Sequence, residues 1–329
     1  MKDLIQFNWK AFNTVSGAKL AIGVVVLMLT EGLTGESWMI TALVAVFAWL
    51  CNSPGPLKDR VGGMVAFTLG AILCTLLVYM IGPQKVHGIV ALSVIGLLGT
   101  VAALWSTRAG MIGWAIIMYM IYAPSFVAGI GLEHTIFAIL IGVGVLFILN
   151  VAEAVFIPSP DDDAPIADPG VGASTRYVAA YALIIAIVFA VASVMGQSIK
   201  TDPTMAAATA FFVIGFDARK TWIGGIARLI GVGLGIEVAT TLLNLIGPGL
   251  ALSVTLVITA FLCFAMAGVH PSFLMFFLTI YFGAGWIGMQ PEVLELTTSE
   301  KMAGETLGVV IGMIAVGLLQ FWDKRLTKA

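Results

Sequence analysis

Apolar runs long enough to cross a bilayer recur along this whole chain, and that recurrence limits its fold more than any other feature. A bilayer core takes about 20 residues of helix, and inside it every backbone polar group must be satisfied within the protein, which leaves helices or a closed barrel. The runs here are continuous and lack the short alternation of barrel strands. By hydropathy they predict spans near 16–32, 37–51, 61–82, 86–104, 109–126 and 134–156, then 176–195, 203–216, 223–246, 249–267, 271–289 and 302–322. Sixty per cent of the 329 residues are apolar and 10% are charged, where soluble proteins carry about a quarter charged. The expectation is an all-α integral membrane protein of about twelve transmembrane helices.

The chain also repeats itself. Thr41-Ala42, Arg60 and Gly63 return as Thr209-Ala210, Arg228 and Gly231, always 168 residues on, and Ile81-Gly82-Pro83 returns 165 residues on as Ile246-Gly247-Pro248. Two copies of one unit account for this, with residues 1–157 as the first six-helix repeat and 176–329 as the second. Six crossings return each unit to its starting side, so the repeats are parallel and related by an axis along the membrane normal. Transporters of this build place their substrate near the midplane where the repeats meet.

Residues 158–175 between the units hold Asp161, Asp162, Asp163, Asp168 and four prolines, a composition that neither packs nor crosses a membrane. With no second aspartate-rich motif to share a metal, the stretch reads as an acidic cytoplasmic linker. Residues 1–15, with Phe7, Trp9 and Phe12, read as an interfacial leader. Thirteen of the sixteen lysines and arginines fall on one side if the N-terminus is inside, so both termini are expected in the cytoplasm. Multi-pass insertion in the inner (plasma) membrane follows. The net charge of −2 says little about partners, and no basic cluster suggests nucleic acid. Cys51, Cys74 and Cys263 have no metal-ligand spacing and read as core residues.

Arg60 and Arg228 stand at the start of the third helix of each repeat, followed by glycines that admit close helix contacts. Each arginine has two readings, a forked donor to an anion or a snorkelling anchor. Trp38, Thr41-Ala42, Arg60 and Gly63, with Thr209-Ala210, Arg228, Gly231 and Gly235, resemble the signature of the fusaric acid resistance and aromatic acid exporter superfamily, to which the plant aluminium-activated malate channels are related. The resemblance implies paired six-helix units and movement of organic anions, commonly aromatic carboxylates, out of the cell. It also nominates Thr41 and Thr209. The chain departs from that family in lacking large soluble domains, and in carrying Met64 and Val232 where threonine often follows the motif glycine.

Other candidates come from the residues themselves. His134 and Lys301 start the last helix of each half, and His134 beside Glu133 reads either as a proton-sensitive gate or as a solvated side chain. His270 before Pro271 reads as a helix start, and His87 as a loop residue. Trp114 and Tyr119 are placed to stack on an aromatic substrate, whereas Trp105, Tyr122 and Trp286 read as interfacial belt. Glu237 lies mid-span, where an ionised group costs about 2.5–3.5 kcal/mol or more, and its counterpart 168 residues earlier is Leu69. It reads as a proton-coupling residue or as a hydrogen-bonded structural one. No nucleophile elbow, phosphate loop or paired-histidine motif is present in the sequence, so the reading includes no enzyme activity, cofactor or metal. The expected partners are membrane lipids, a small organic anion and a coupling proton. The expected function is a secondary transporter exporting organic, aromatic anions, with an organic-anion channel and a non-transporting scaffold or assembly subunit as alternatives.

Overall fold

The computed structural model describes residues 7–34, 38–51, 56–82, 107–156, 175–198, 221–246, 250–289 and 298–326, with Ala206, Ala210 and Ile214. The predicted span 86–104, most of 203–216, and the linker up to residue 174 lie outside the described residues. Every regular element within them is helical. These are α1 Thr14–Thr34, α2 Trp38–Leu50, α3 Leu57–Ile81, α4 Thr107–Phe156, α5 Thr175–Ser198, α6 Thr221–Ile246, α7 Leu250–Ala265, α8 Pro271–Met289 and α9 Thr298–Leu326, with a 3-10 turn at Trp9–Ala11. Two stretches, Leu57–Ile81 and Phe126–Phe156, are long and apolar enough to cross a membrane.

Glycine and proline set the ends. Gly82 closes α3 in the left-handed region (φ 86°), its N–H donating to the Val78 carbonyl at 3.0 Å, and Pro83 follows, as is common after a helix C-cap. Within α4, Gly131 (φ 83°, ψ 171°) interrupts the helix in the interval that hydropathy leaves between two predicted spans. Thr135 Oγ1 donates to the Gly131 carbonyl at 2.6 Å. That backbone region is essentially reserved for glycine, while a Cβ at this position would meet nothing within 4 Å. Gly131→Ala is therefore expected to cost about 1–3 kcal/mol through backbone strain alone, read as a lowered melting temperature of the purified protein.

Contacts fix the helix directions. A Cβ on Gly63 would lie 3.8 Å from Ile112, and Gly70 packs on Ile116, so α3 and the first arm of α4 run parallel. Arg60 meets Glu153 and Met64 meets Asn150, so the second arm runs back, and the chain reverses across Gly131. The start of α1 lies on the end of α7, with Asn13 N–H donating to the Ala265 carbonyl at 2.9 Å; these two helices are antiparallel. Gly231 packs on Ser272, and a Cβ at Gly235 would come within 2.8 Å of the Phe276 carbonyl, so α6 and α8 run parallel.

The core lies where α2 is enclosed. Residues 42–48 of α2 are each at most 1% exposed, matching a helix that is apolar all round and therefore interior. The motif alanines Ala42 and Ala210 are both fully buried. Outer helix faces carry apolar stripes, such as Val65, Leu69 and Leu73 on α3 and Val310, Ile314 and Leu318 on α9.

The leader is more firmly placed than its sequence suggests. Asn8 N–H donates to the Val269 carbonyl at 3.0 Å, and the Phe7 ring lies 5.4 Å from that of Phe273 and 5.1 Å from that of His270. From residue 7 onward it is docked on the α7–α8 corner, because Gly268 lets the backbone of Ala11 approach to 3.1 Å from its ideal Cβ position. His270 starts α8 as its sequence implied, accepting from Ser272 N–H at 3.3 Å.

Candidate functional site

Ionisable groups within an apolar bundle must be paired or face water, so their partners mark the places where charge is managed. Arg60, in the first turn of α3, is 5% exposed, and Lys19 of α1 is 7% exposed. Both reach one carboxylate near the end of α4. Arg60 Nη1 donates to Glu153 Oε2 at 2.8 Å, and Lys19 Nζ donates to the same oxygen. Lys19 Nζ also donates to Asn150 Oδ1 at 2.9 Å, and Asn150 Nδ2 donates to Met64 Sδ at 3.1 Å. Lys19 Nζ stands 4.3 Å from the centre of the Trp49 ring, a cation–π contact.

Helical spacing makes the cluster possible. Asn150 and Glu153 are three apart and Arg60 and Met64 four apart, so each pair shares a helix face, and the antiparallel run of α3 against the second arm brings the two faces together. Just outside, Arg108 Nη1 pairs with Asp59 Oδ1 at 3.2 Å in a partly exposed bridge.

Arg60 Nη1 and Lys19 Nζ both reach the same oxygen, Oε2, of Glu153. The Glu153 side chain is 21% exposed, against 6% for Arg60 and 8% for Lys19. Chemically this is a pair of buried donors holding one carboxylate oxygen at the edge of the bundle.

The predicted residues are not gathered in one place. Thr41 is 4% exposed, and its carbonyl lies 2.6 Å from where a Cβ on Gly142 would sit. Gly142 is eleven residues from Glu153, about 16 Å along a helix, so Thr41 and Arg60 stand at different depths. Tyr119 is fully buried, its hydroxyl 2.6 Å from Thr75 Oγ1, and Thr75 is fifteen residues past Arg60, about 22 Å along α3. His134 is exposed near Gly131, at the opposite end of the second arm of α4 from Glu153. The side chains of Arg228 and Trp114, and all of Thr209, lie outside the described residues. Glu237 is exposed on α6 between Leu234 and Leu245, which are also exposed. Its counterpart Leu69 is 65% exposed on the matching stripe of α3, so the carboxylate replaces an outward leucine.

A second feature joins the halves. Phe282 of α8 stacks on Tyr122 (5.1 Å, 5°) and on Phe47 (5.1 Å, 29°), and Tyr119 meets Phe47 and Phe67 edge-on at 6.3 and 6.1 Å. Tyr122, read from the sequence as interfacial belt, stands in this seam. The helix continues past the predicted end at 126 to the break at Gly131, which sets Tyr122 about 13 Å inside it. The neighbouring Tyr281 hydroxyl is buried with no hydrogen-bond partner among the described residues.

Lys19, Asn150 and Glu153 were missed as site residues by sequence reasoning. Lys19 counted only toward topology, and a partner 134 residues away leaves no local pattern. The usable signal was an acid and an amide three residues apart on an otherwise apolar stretch. Compared with known proteins, the chain matches no family model, no curated protein and no solved structure.

Proposed function

We propose that this chain is a secondary transporter that exports organic anions, aromatic carboxylates foremost, across the inner membrane with protons as the coupling ion. The observation that carries the proposal is the sharing of one carboxylate by two buried cations, Lys19 and Arg60, within an apolar helical bundle. Each buried ion costs several kcal/mol of desolvation, and holding two helices together requires no second cation. A carboxylate-binding role gives both a reason to be there.

The finer architecture proposed is twelve spans in two parallel six-helix repeats, with both termini cytoplasmic. It draws support from the parallel run of α3 with the first arm of α4, which α6 repeats with α8. The resemblance to the fusaric acid resistance and aromatic acid exporter superfamily favours the same build and substrate class. Met64, a departure from that family's pattern, has a use of its own here as the acceptor for Asn150.

The test is reconstitution of the full chain into proteoliposomes with a panel of labelled aromatic carboxylates, benzoate first. Accumulation driven by a pH gradient is the expected result; electrogenic downhill flux would make the protein a channel, and no flux a scaffold. Glu237→Gln is expected to abolish gradient-driven accumulation while benzoate binding persists. Unchanged accumulation would remove Glu237 from coupling.

A further inference from the structure

We propose that the Tyr281 hydroxyl and the ring seam of Phe47, Tyr122 and Phe282 form a binding site for one aromatic carboxylate, the phenol donating to the carboxylate and the seam taking the ring. The inference rests on the anion-transport reading and adds to it a binding place at mid-depth, apart from the Lys19, Arg60 and Glu153 cluster. Tyr281 is 1% exposed, and its hydroxyl has no hydrogen-bond partner among the described residues. A buried polar group left unpaired destabilises a fold, and phenylalanine would fill nearly the same space without that cost.

The matching tyrosine of the first half shows the difference. Gly70 and Gly235 each stand twelve residues before a Gly-Pro pair. Gly70 packs on Ile116, three residues before Tyr119, and Gly235 on Thr279, two before Tyr281. The two tyrosines therefore hold corresponding places in the parallel pairs, α3 with the first arm of α4 and α6 with α8. Thr75 Oγ1 donates to the Ala71 carbonyl at 2.8 Å, so in its 2.6 Å contact with the Tyr119 hydroxyl the tyrosine is the donor. The Tyr119 proton is committed to Thr75. The Tyr281 hydroxyl keeps a donor that a ligand acceptor can take.

The seam supplies the rest. The Phe282 ring lies 6.0 Å from that of Tyr281 and nearly perpendicular to it (86°), and 5.1 Å from both Phe47 and Tyr122. Near-parallel ring faces favour a further aromatic ring in an offset stack. Tyr122 and Phe282 are only partly buried, so a ligand can reach the stack. Tyr281 stands ten residues past the start of the nineteen-residue α8, about 15 Å along it. That is the middle of the helix, and the seam joins the two halves, where transporters built from parallel repeats hold their substrate.

The experiment uses the full chain in lipid nanodiscs with radiolabelled benzoate, and with cyclohexanecarboxylate as its non-aromatic counterpart. Tyr281→Phe is expected to weaken benzoate binding about tenfold, the worth of one hydrogen bond to a charged acceptor. Without ligand it is expected to melt at or above the unaltered protein, because it sheds an unpaired hydroxyl, whereas Tyr119→Phe breaks a hydrogen bond already made and is expected to melt lower. Phe282→Leu is expected to narrow the preference for benzoate over cyclohexanecarboxylate severalfold.

Undiminished benzoate affinity in Tyr281→Phe overturns the proposal, as does a clear fall in its melting temperature, which would mean that the hydroxyl already has a partner, a buried water included. An unchanged preference in folded Phe282→Leu overturns it likewise. If proteoliposomes of the unaltered protein carry benzoate and these results still fail, the transport reading stands and this site falls alone. If no form binds benzoate and none of the panel is carried, the anion reading falls and the site falls with it.

Discussion

Replacing Lys19, Arg60, Asn150 and Glu153 together by apolar side chains is expected to leave a folded membrane protein that no longer moves organic anions. Removing one partner of a buried ion pair costs about 3–5 kcal/mol because the other is left buried and uncompensated, whereas replacing the whole group by packed apolar residues is often neutral or stabilising. Glu153→Leu alone takes away the carboxylate that two cations, 6% and 8% exposed, share and should melt well below the unaltered chain. The combination Lys19→Met, Arg60→Met, Asn150→Leu and Glu153→Leu removes the four charged and polar groups together and replaces them with apolar side chains of similar length. Melting in nanodiscs, with benzoate flux on the same preparation, separates the two roles. Full flux in the apolar variant would make the cluster architectural. Restored stability with no flux would make it functional.

What was legible in the sequence follows the range of the forces involved. Apolar periodicity and the glycine and proline breaks act within one helix, so the helical class, the end of α3 at Gly82 and the interruption of α4 between its two predicted spans could all be read locally. Arg60 was legible because it repeats. Its partner was not, because Glu153 lies 93 residues away in the chain. Tyr122 was misplaced for a related reason: hydropathy ends a span where polar and small residues appear, while the backbone stays helical until its bonds are broken, here at Gly131. Glu237 stands out in the sequence as a mid-span acid, yet no periodicity reveals that it is exposed on α6, as Leu234 and Leu245 are.

Gly142→Ala and Gly144→Ala, two residues apart on one helix, are expected to have opposite effects. Alanine is the better helix former by roughly 0.5–1 kcal/mol, so the exchange stabilises unless the new methyl meets something. At Gly144 a Cβ would meet nothing within 4 Å, and Gly144→Ala should be neutral or slightly stabilising. At Gly142 the Cβ would sit 2.6 Å from the Thr41 carbonyl oxygen and 3.3 Å from the Ala45 nitrogen. Both are backbone atoms of α2, the most enclosed helix, and they cannot swing aside as a flexible side chain would. Relief requires α2 and the second arm of α4 to separate, and overpacking in a tight core costs about 1–3 kcal/mol, occasionally more. The upper end is expected here, since the shift propagates to Ala42 and Phe47, which are at most 1% exposed, and through Phe47 to the stack with Phe282. Gly142→Ala should thus lower the melting temperature and the folded yield, and Gly142→Val should abolish the folded form. Equal tolerance of alanine at the two positions would show that α2 and the second arm do not approach this closely. It would also release Thr41 from the packing role that its carbonyl has in this bundle.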